Sequence, residues 1–383
     1  MRSLPTLLLT LALCASAAAQ GSDCKLAQSP REHAVCSVPR LSALDTEIAT
    51  AYKALRDQLS PQSAALVESD QNEWLHWIDL ICPAKAPGLE AKSDAILSHC
   101  LQDQYAARAH DLKQVVHIGT AIIFPRAHFL YKPADQSSQL SLPDYPGFGY
   151  GALRWPQIDI KPDSKPDSKT GPDAAWNKAV KAQAAKSGSG AFHSDKNLTF
   201  DSVVNPLEIL QSDYTLVAAN GRLIEVNLIT TSYLWVPGAH PITTRNTFLW
   251  WLDRNREFTS DDVFPPLGPW RELLVSLAAG HLQNNDRLKP LLRSEPGLEA
   301  AVQQSALQTS NWTLTVNGLT ITFPQGVVAA DAAGTPRVYI PWEELKPYLE
   351  PTLNPSTLPA RLPQPTPSST NSPHYFSPGR SPG

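Results

Sequence analysis

After Leu13 the sequence has no apolar run near the roughly 18 to 20 uninterrupted residues that a membrane-spanning helix needs, so no transmembrane anchor is expected. Cysteine is scarce, with five in 383 residues, and none stands in a CxxC spacing or with histidine at a zinc-finger offset. That argues against a metal site. Neither sign of charge dominates: 32 basic and 36 acidic residues give a formal net charge of −4. The balance lacks the basic footprint of a nucleic-acid binder and mildly favours a basic partner. Signatures of chemistry are missing as well. There is no HExxH and no GxSxG elbow, and "GFGYG" at 147–151 lacks the third glycine at the spacing of a dinucleotide loop. Asp261 and Asp262 have the composition of a glycosidase pair, but aspartates at the start of a helix or turn more often serve as caps. No catalytic residue, cofactor or metal ligand is expected, and a non-enzymatic role is.

What is present begins with an export signal. Arg2, the apolar run from Leu4 to Leu13 and the small residues Ala15 to Ala19 follow the regions of a secretory signal peptide, predicting cleavage after Ala19 and a periplasmic or secreted protein. Lipidation at Cys14 is disfavoured because Leu13 stands where lipoprotein signals carry a small residue. Removal of 1–19 takes away Arg2 and Cys14, making the net charge more negative, and leaves Cys24, Cys36, Cys82 and Cys100. An even number in an exported chain implies two disulfides, with three possible connectivities. The local pairs, Cys24 with Cys36 and Cys82 with Cys100, are favoured; each would close a short loop and contribute about 3 kcal/mol.

The fold class expected is α+β: a small disulfide-stapled helical domain, then a mixed α+β domain with antiparallel hairpins, then a disordered tail. Leu41, Leu44, Ile48, Tyr52, Leu55 and Leu59 recur at helical spacing. Ser60 and Pro61 read as a helix start, with Trp74, Trp77, Ile78 and Ile81 on the buried face of a second helix. A third carries Ile96, Leu97, Cys100, Leu101, Tyr105 and Leu112, giving three helices over 20–113.

From about Val115 the pattern becomes short apolar runs separated by turns. Segment 114–160 reads as a connection with the first strands, and 161–173, with KPDS twice in succession, as an exposed loop. The α+β domain is placed at 174–350. Within it Asn220-Gly221 and Asn317-Gly318 predict hairpin turns, because both residue types tolerate positive φ. "AAWNKAVKAQAAK" and "GPWRELLVSLAAGHL" predict helices. Residues 351–383, rich in proline, serine and threonine, read as a disordered tail.

Cys24, Glu32, Cys36, Leu41, Leu44-Asp45, Tyr52, Gln71, Trp74, Cys82, Cys100, Leu101, Tyr105, Arg108 and Leu112 together resemble the N-terminal domain of the LprI-type lysozyme inhibitor family. One departure is that the family's arginine before the third cysteine falls here on Trp77 or Ile78. A second group comprises Gly238-Ala239-His240-Pro241, Asn246, the turn Asn317-Gly318, Gly334, Ile340-Pro341 and Leu345, preceded by "WPQIDI" at 155–160 and a helix holding Asn177. It resembles the extracytoplasmic domain of RsiV-type anti-sigma factors over roughly 150–350. The resemblance implies a lysozyme receptor, so both halves are similar to proteins that meet the same enzyme.

His240, Asn246 and Trp251 are the candidate partner-binding residues, while Gly238, Pro241, Asn317 and Gly318 are read as turn formers. For His240 a local hydrogen bond shaping the turn is favoured over a role as base or ligand. Trp250 and Trp251 must face opposite sides of a strand, one of them in the core. An anti-sigma role would need a cytoplasmic segment and a membrane span, neither of which is expected here. Two functions stand: an envelope protein that binds, and by family analogy inhibits, lysozyme or a related muramidase; or an accessory module for peptidoglycan or glycan, with Trp155, Trp235 and Trp251 as stacking platforms.

Overall fold

The computed structural model describes residues 21–82, 93–134, 145–160, 172–189, 200, 204–236, 240–358 and 360–362. The export signal, most of the KPDS segment, Gly238 and the chain beyond 362 lie outside them.

Four helices, not three, open the chain: α1 (Pro30–Ser37), α2 (Pro39–Gln58), α3 (Pro61–Ile81) and α4 (Ser93–Asp111). The additional α1 is too short to show an apolar stripe, but its start is a capping box. The Glu32 amide donates to Ser29 Oγ, while the Glu32 carboxylate accepts from the Ser29 and Gln28 amides at 2.9 and 2.8 Å. Helix α2 buries Leu41, Ile48, Tyr52 and Leu55, and α3 buries Trp74, Trp77, Ile78 and Ile81, as their periodicity requires. Two disulfides, Cys24–Cys36 and Cys82–Cys100, staple this region.

Strands β1 (Val116–Ile118), β2 (Ala121–Pro133), β3 (Phe148–Ile160), β4 (Glu208–Ala219), β5 (Leu223–Leu234), β6 (Ile242–Trp251) and β7 (Arg256–Glu257) form one sheet in chain order. Neighbours are antiparallel except β3 and β4, which run parallel with α5 (Pro172–Ser189) between them in the chain. The segment 114–160 is therefore part of the sheet itself. Gly149 of "GFGYG" serves the parallel junction, since a Cβ there would collide with the carbonyl oxygens of Asn205 and Glu208.

Helix α5 covers one face, where Trp176, Val180 and Ala184 join Leu153, Trp155, Val226, Phe248 and Trp250 in a shared core. Asn177 fixes its position by accepting from the Ile158 amide at 2.8 Å and donating to the Ile158 carbonyl at 2.9 Å. Elsewhere two units share the sheet. The helical region packs with Phe124, Ala127, Phe129 and Ala152 of β2 and β3. The C-terminal unit packs with Leu223, Leu249 and Trp251 of β5 and β6. That unit comprises α6 (Trp270–Gln283), α7 (Gly297–Ala306), α8 (Trp342–Leu345) and an antiparallel sheet of β8 (Trp312–Thr315), β9 (Gly318–Thr322) and β10 (Arg337–Pro341).

Both Asn-Gly hairpins form, but not for the expected reason: none of Asn220, Gly221, Asn317 and Gly318 has positive φ. Side chains close the turns instead. Asn220 Oδ1 accepts from the Arg222 and Leu223 amides, and Thr315 Oγ1 accepts from those of Asn317 and Gly318. Glycine at 318 answers a shortage of space, since a Cβ there would strike the Ile340 carbonyl and the Tyr339 ring.

The segment read as a disordered tail is anchored at its start. Leu358 is buried in the C-terminal unit, Arg361 bridges to Ala218, and the Leu362 amide donates to the Val217 carbonyl at 2.8 Å. The irregularity of β4 between Leu216 and Ala218 leaves that carbonyl for the returning chain. Among the described residues no helix is long and apolar enough to cross a membrane.

Candidate functional site

The candidate residues from the sequence do not form one patch. His240 and Pro241 are exposed just before β6, and His240 makes no side-chain hydrogen bond among the described residues; Gly238 lies outside them. Asn246 is half-buried on the α5 side, with Nδ2 3.4 Å from Ser187 Oγ. Trp251 points to the opposite side and is 5 % exposed, with Phe258 against its ring at 5.9 Å and the Arg254 guanidinium over it at 4.7 Å. It is a core residue, so its reading as a partner contact is corrected. Trp155 and Trp235 are buried as well. Trp155 lies in the core beneath α5 and Trp235 packs against Tyr145 and Tyr233, so neither ring offers an open stacking face.

The residues that carry the first resemblance are also mostly interior. Arg108 Nε donates to Gln71 Oε1 at 2.9 Å, and the Trp74 and Tyr105 rings meet edge to face at 5.1 Å. Burial pushes the Tyr105 phenol up to about 12, and Arg31 reaches both it and Asp79. These side chains specify the helical fold rather than a contact surface. Trp77, standing near the family's arginine, donates from Nε1 to the Leu130 carbonyl at 2.8 Å and packs on Phe129 and Tyr150. The face of α3 that carries it is thus occupied by this chain's own sheet.

A polar seam joins the helices to that sheet. Asp70 receives Arg126 Nε at 2.7 Å and NH2 at 3.0 Å, together with the Ala127 amide. Asp111 receives Arg154 Nε at 2.7 Å. Asp159 holds the start of α3, accepting from the Ser60 amide and hydroxyl and the Ser63 hydroxyl, where a negative charge complements the helix dipole. A small internal space is bordered by Arg108, Asp111, Arg126, Arg154 and Tyr214. Burial raises the Asp213 carboxyl against the opposing pull of Arg154, and raises the Tyr214 phenol well above its ordinary value. Perturbed acids are a signature of active sites, but these groups are enclosed between the helical region and the sheet. Their geometry is that of a structural ion network.

Glu225 is a separate case. It is fully buried on β5, and neither carboxylate oxygen is in a hydrogen bond of good geometry, although Thr313 and the Leu314 amide stand near it. Burial pushes its pKa up to about 7, while Thr313, the Leu314 amide and Arg361 pull it down more weakly. Among the described residues no group of three or more histidine, cysteine, aspartate and glutamate side chains is arranged to hold a metal.

Two exposed leucines went unnoticed in the sequence. Leu267 is 90 % exposed in "PPLGP", a turn held by Trp270 Nε1 donating to the Pro265 carbonyl at 3.0 Å and by Arg271 donating to that of Pro266. Leu26 is 71 % exposed between Cys24 and Cys36, its amide donating to the Asp23 carbonyl at 2.9 Å. The prolines and the cysteine were the available signals: both turns are braced independently of any partner.

Comparison with known proteins gives two family matches. The family described as "Lysozyme inhibitor LprI" matches residues 14–112, and the family described as "Protein of unknown function (DUF3298)" matches residues 261–343. The latter is the RsiV-like domain. No curated protein matches the chain. Among solved structures, a DUF3298-family protein from Bacteroides fragilis is 15% identical, with 63% of this chain and 97% of that one covered and a TM-score of 0.41. One from Pseudomonas aeruginosa is 15% identical, with 62% and 97% covered and the same TM-score.

Proposed function

We propose that this chain, which joins an LprI lysozyme-inhibitor domain to a DUF3298 domain, is an exported envelope protein that binds lysozyme or a related muramidase and inhibits it. The match of residues 14–112 to the LprI family carries this reading. The two disulfides support an extracytoplasmic setting, and the net charge of −4 suits a basic partner.

With the Trp77 face of α3 turned to the sheet, the partner meets the outer side of the helical region and the C-terminal unit. Each presents one braced leucine, Leu26 or Leu267. An apolar side chain fixed before binding is suited to anchor a protein interface, because little freedom remains to be lost. The test is a peptidoglycan lysis assay with the exported chain, paired with calorimetry. Dose-dependent protection and micromolar or tighter binding are expected, with Leu26→Ser and Leu267→Ser each weakening binding about tenfold, or about 1.4 kcal/mol. Absence of both protection and binding at micromolar concentration refutes the reading; intact binding by both variants refutes only the placement of the contact.

A further inference from the structure

After the C-terminal unit the chain returns to the large sheet as a strap of Asn354–Leu358 and residues 360–362. Its start is a self-supporting turn. Asn354 Oδ1 accepts from the Ser356 amide and hydroxyl at 3.1 and 2.7 Å, and the Asn354 carbonyl accepts from the Thr357 amide at 3.0 Å. Among the described residues its hold on the rest of the protein is slight by comparison. Leu358 is buried in the core of the C-terminal unit, Asn220 Nδ2 donates to the Thr357 carbonyl at 3.3 Å, and the Leu362 amide donates to the Val217 carbonyl at 2.8 Å. A segment held by one buried side chain and a few edge bonds opens far more easily than the body it rests on.

The strap lands beside a buried acid. Glu225 of β5 is paired with Leu249 of β6 on one side and with Ala218 of β4 on the other, and Ala218 bridges antiparallel to Arg361. Residues paired across antiparallel strands project to one face, here the face that Leu249 turns into the C-terminal unit. Leu249, Glu225, Ala218 and Arg361 thus form one row, and alanine puts no bulk between the carboxyl and the strap. Thr313 and the Leu314 amide of β8 stand near the carboxyl, and Arg361 is the charged group that acts on it among the described residues. With the strap in place the carboxyl is fully buried; without it, the Ala218 side of the row opens to water.

We propose that this strap is a pH-sensitive latch on β4, closed over Glu225 while its carboxyl holds a proton and loosened when the carboxylate forms. The direction follows from two opposing effects of closure, which removes water from the carboxyl but brings Arg361 to it. Arg361 is exposed and its pull is the weakest of those on Glu225, so burial dominates. The carboxyl is raised from 4.5 to about 7 in the folded protein, so closure is fully favoured below the lower value and weakens as pH rises through the upper one. Loosening uncovers the slot filled by Leu358 and the Val217 carbonyl. The latch is independent of the muramidase contact proposed above.

The experiment is hydrogen–deuterium exchange of the exported chain, read by mass spectrometry at about pH 5.5 and about pH 8 and corrected for the pH dependence of intrinsic exchange. Peptides spanning 354–362 are expected to lose about tenfold or more of their protection at the higher pH, with those of β8 and β9 unchanged. Glu225→Gln should keep the strap protected at both pH values, and Leu358→Ser should leave it unprotected at both. Equal strap protection at the two pH values in the wild type, or the same loss in Glu225→Gln, overturns the proposal. Loss of protection in β8 and β9 together with the strap overturns it too, since the event is then an opening of the whole C-terminal unit. The coupling must also run in reverse: by carbon NMR the Glu225 carboxyl should titrate about one pH unit or more lower in Leu358→Ser than in the wild type. An unchanged titration overturns the latch, and that measurement decides the matter alone should Glu225→Gln fail to fold.

Discussion

Both units that share the large sheet bury apolar residues against it, but only the helical region adds an ion network to that packing. The helical region is docked through ion pairs and charge-assisted hydrogen bonds, with Asp70 to Arg126, Asp111 to Arg154, and Asp159 to Ser60 and Ser63. The C-terminal unit is docked through Leu223, Leu249 and Trp251, with the buried carboxyl of Glu225 in the seam. A polar seam fixes register, because each acid has one acceptable position, but it returns little net stability after desolvation. An apolar seam contributes in proportion to its area and tolerates adjustment. The helical region is thus located by charge and the C-terminal unit by burial.

The largest effect is expected from breaking the polar seam on one side only. Asp111→Ala leaves the buried Arg154 guanidinium without its closest acceptor. Burial alone would drive that group toward its neutral form, but Asp111 and Asp213 hold it charged. Such a change should cost about 3 to 5 kcal/mol, measured by urea unfolding with Trp fluorescence. A loss below about 1 kcal/mol would mean that water reaches the seam and the contrast between the two dockings is false.

Next in size is Glu225, which makes the apolar seam sensitive to pH. Its carboxyl is raised from 4.5 to about 7 in the folded protein, so between those values the folded chain holds a proton that the unfolded chain has released. Its contribution to stability is complete below 4.5, falls as pH rises through the window and is gone above about 7; the whole swing is about 3 kcal/mol. Glu225→Gln keeps the neutral form at every pH. It should match the wild type near pH 4.5 and exceed it by that amount near pH 8. Parallel stability curves for the two proteins would show that Glu225 ionises normally in the folded state.

The smallest effect is expected outside both seams. His240 is exposed and unbonded among the described residues, so His240→Ala should change stability by less than about 0.5 kcal/mol. The local hydrogen bond anticipated from the sequence would have cost more. A drop above 1 kcal/mol on thermal unfolding would restore that bond.

What could be read from the sequence follows the range of the interactions. The stripes of α2 and α3 are local, and they placed Ile48, Tyr52, Trp74 and Trp77 on the right faces. The asparagine turns were found for the wrong reason, because Asn220 acts through its side chain rather than through φ. Both cysteine pairs are close in sequence. The seams were not legible, since nothing local tells Asp111 that Arg154 is its partner. Leu358 gave no signal either: one apolar residue among prolines has no periodicity, and its burial depends on a groove built by distant strands.

Helix α3 lies beside β2 beyond the reach of the short β1, and its acids accept from the strand's outward amides: Ala127 to Asp70 at 3.1 Å and Phe129 to Glu73 at 2.9 Å. An open strand edge is a template for joining like to like. A chain cut before β1 would present that row of donors to every other copy, and its failure would be polymerisation rather than simple unfolding. The inhibitor-like helices therefore also act as a guard, keeping the sheet they accompany from recruiting its own kind.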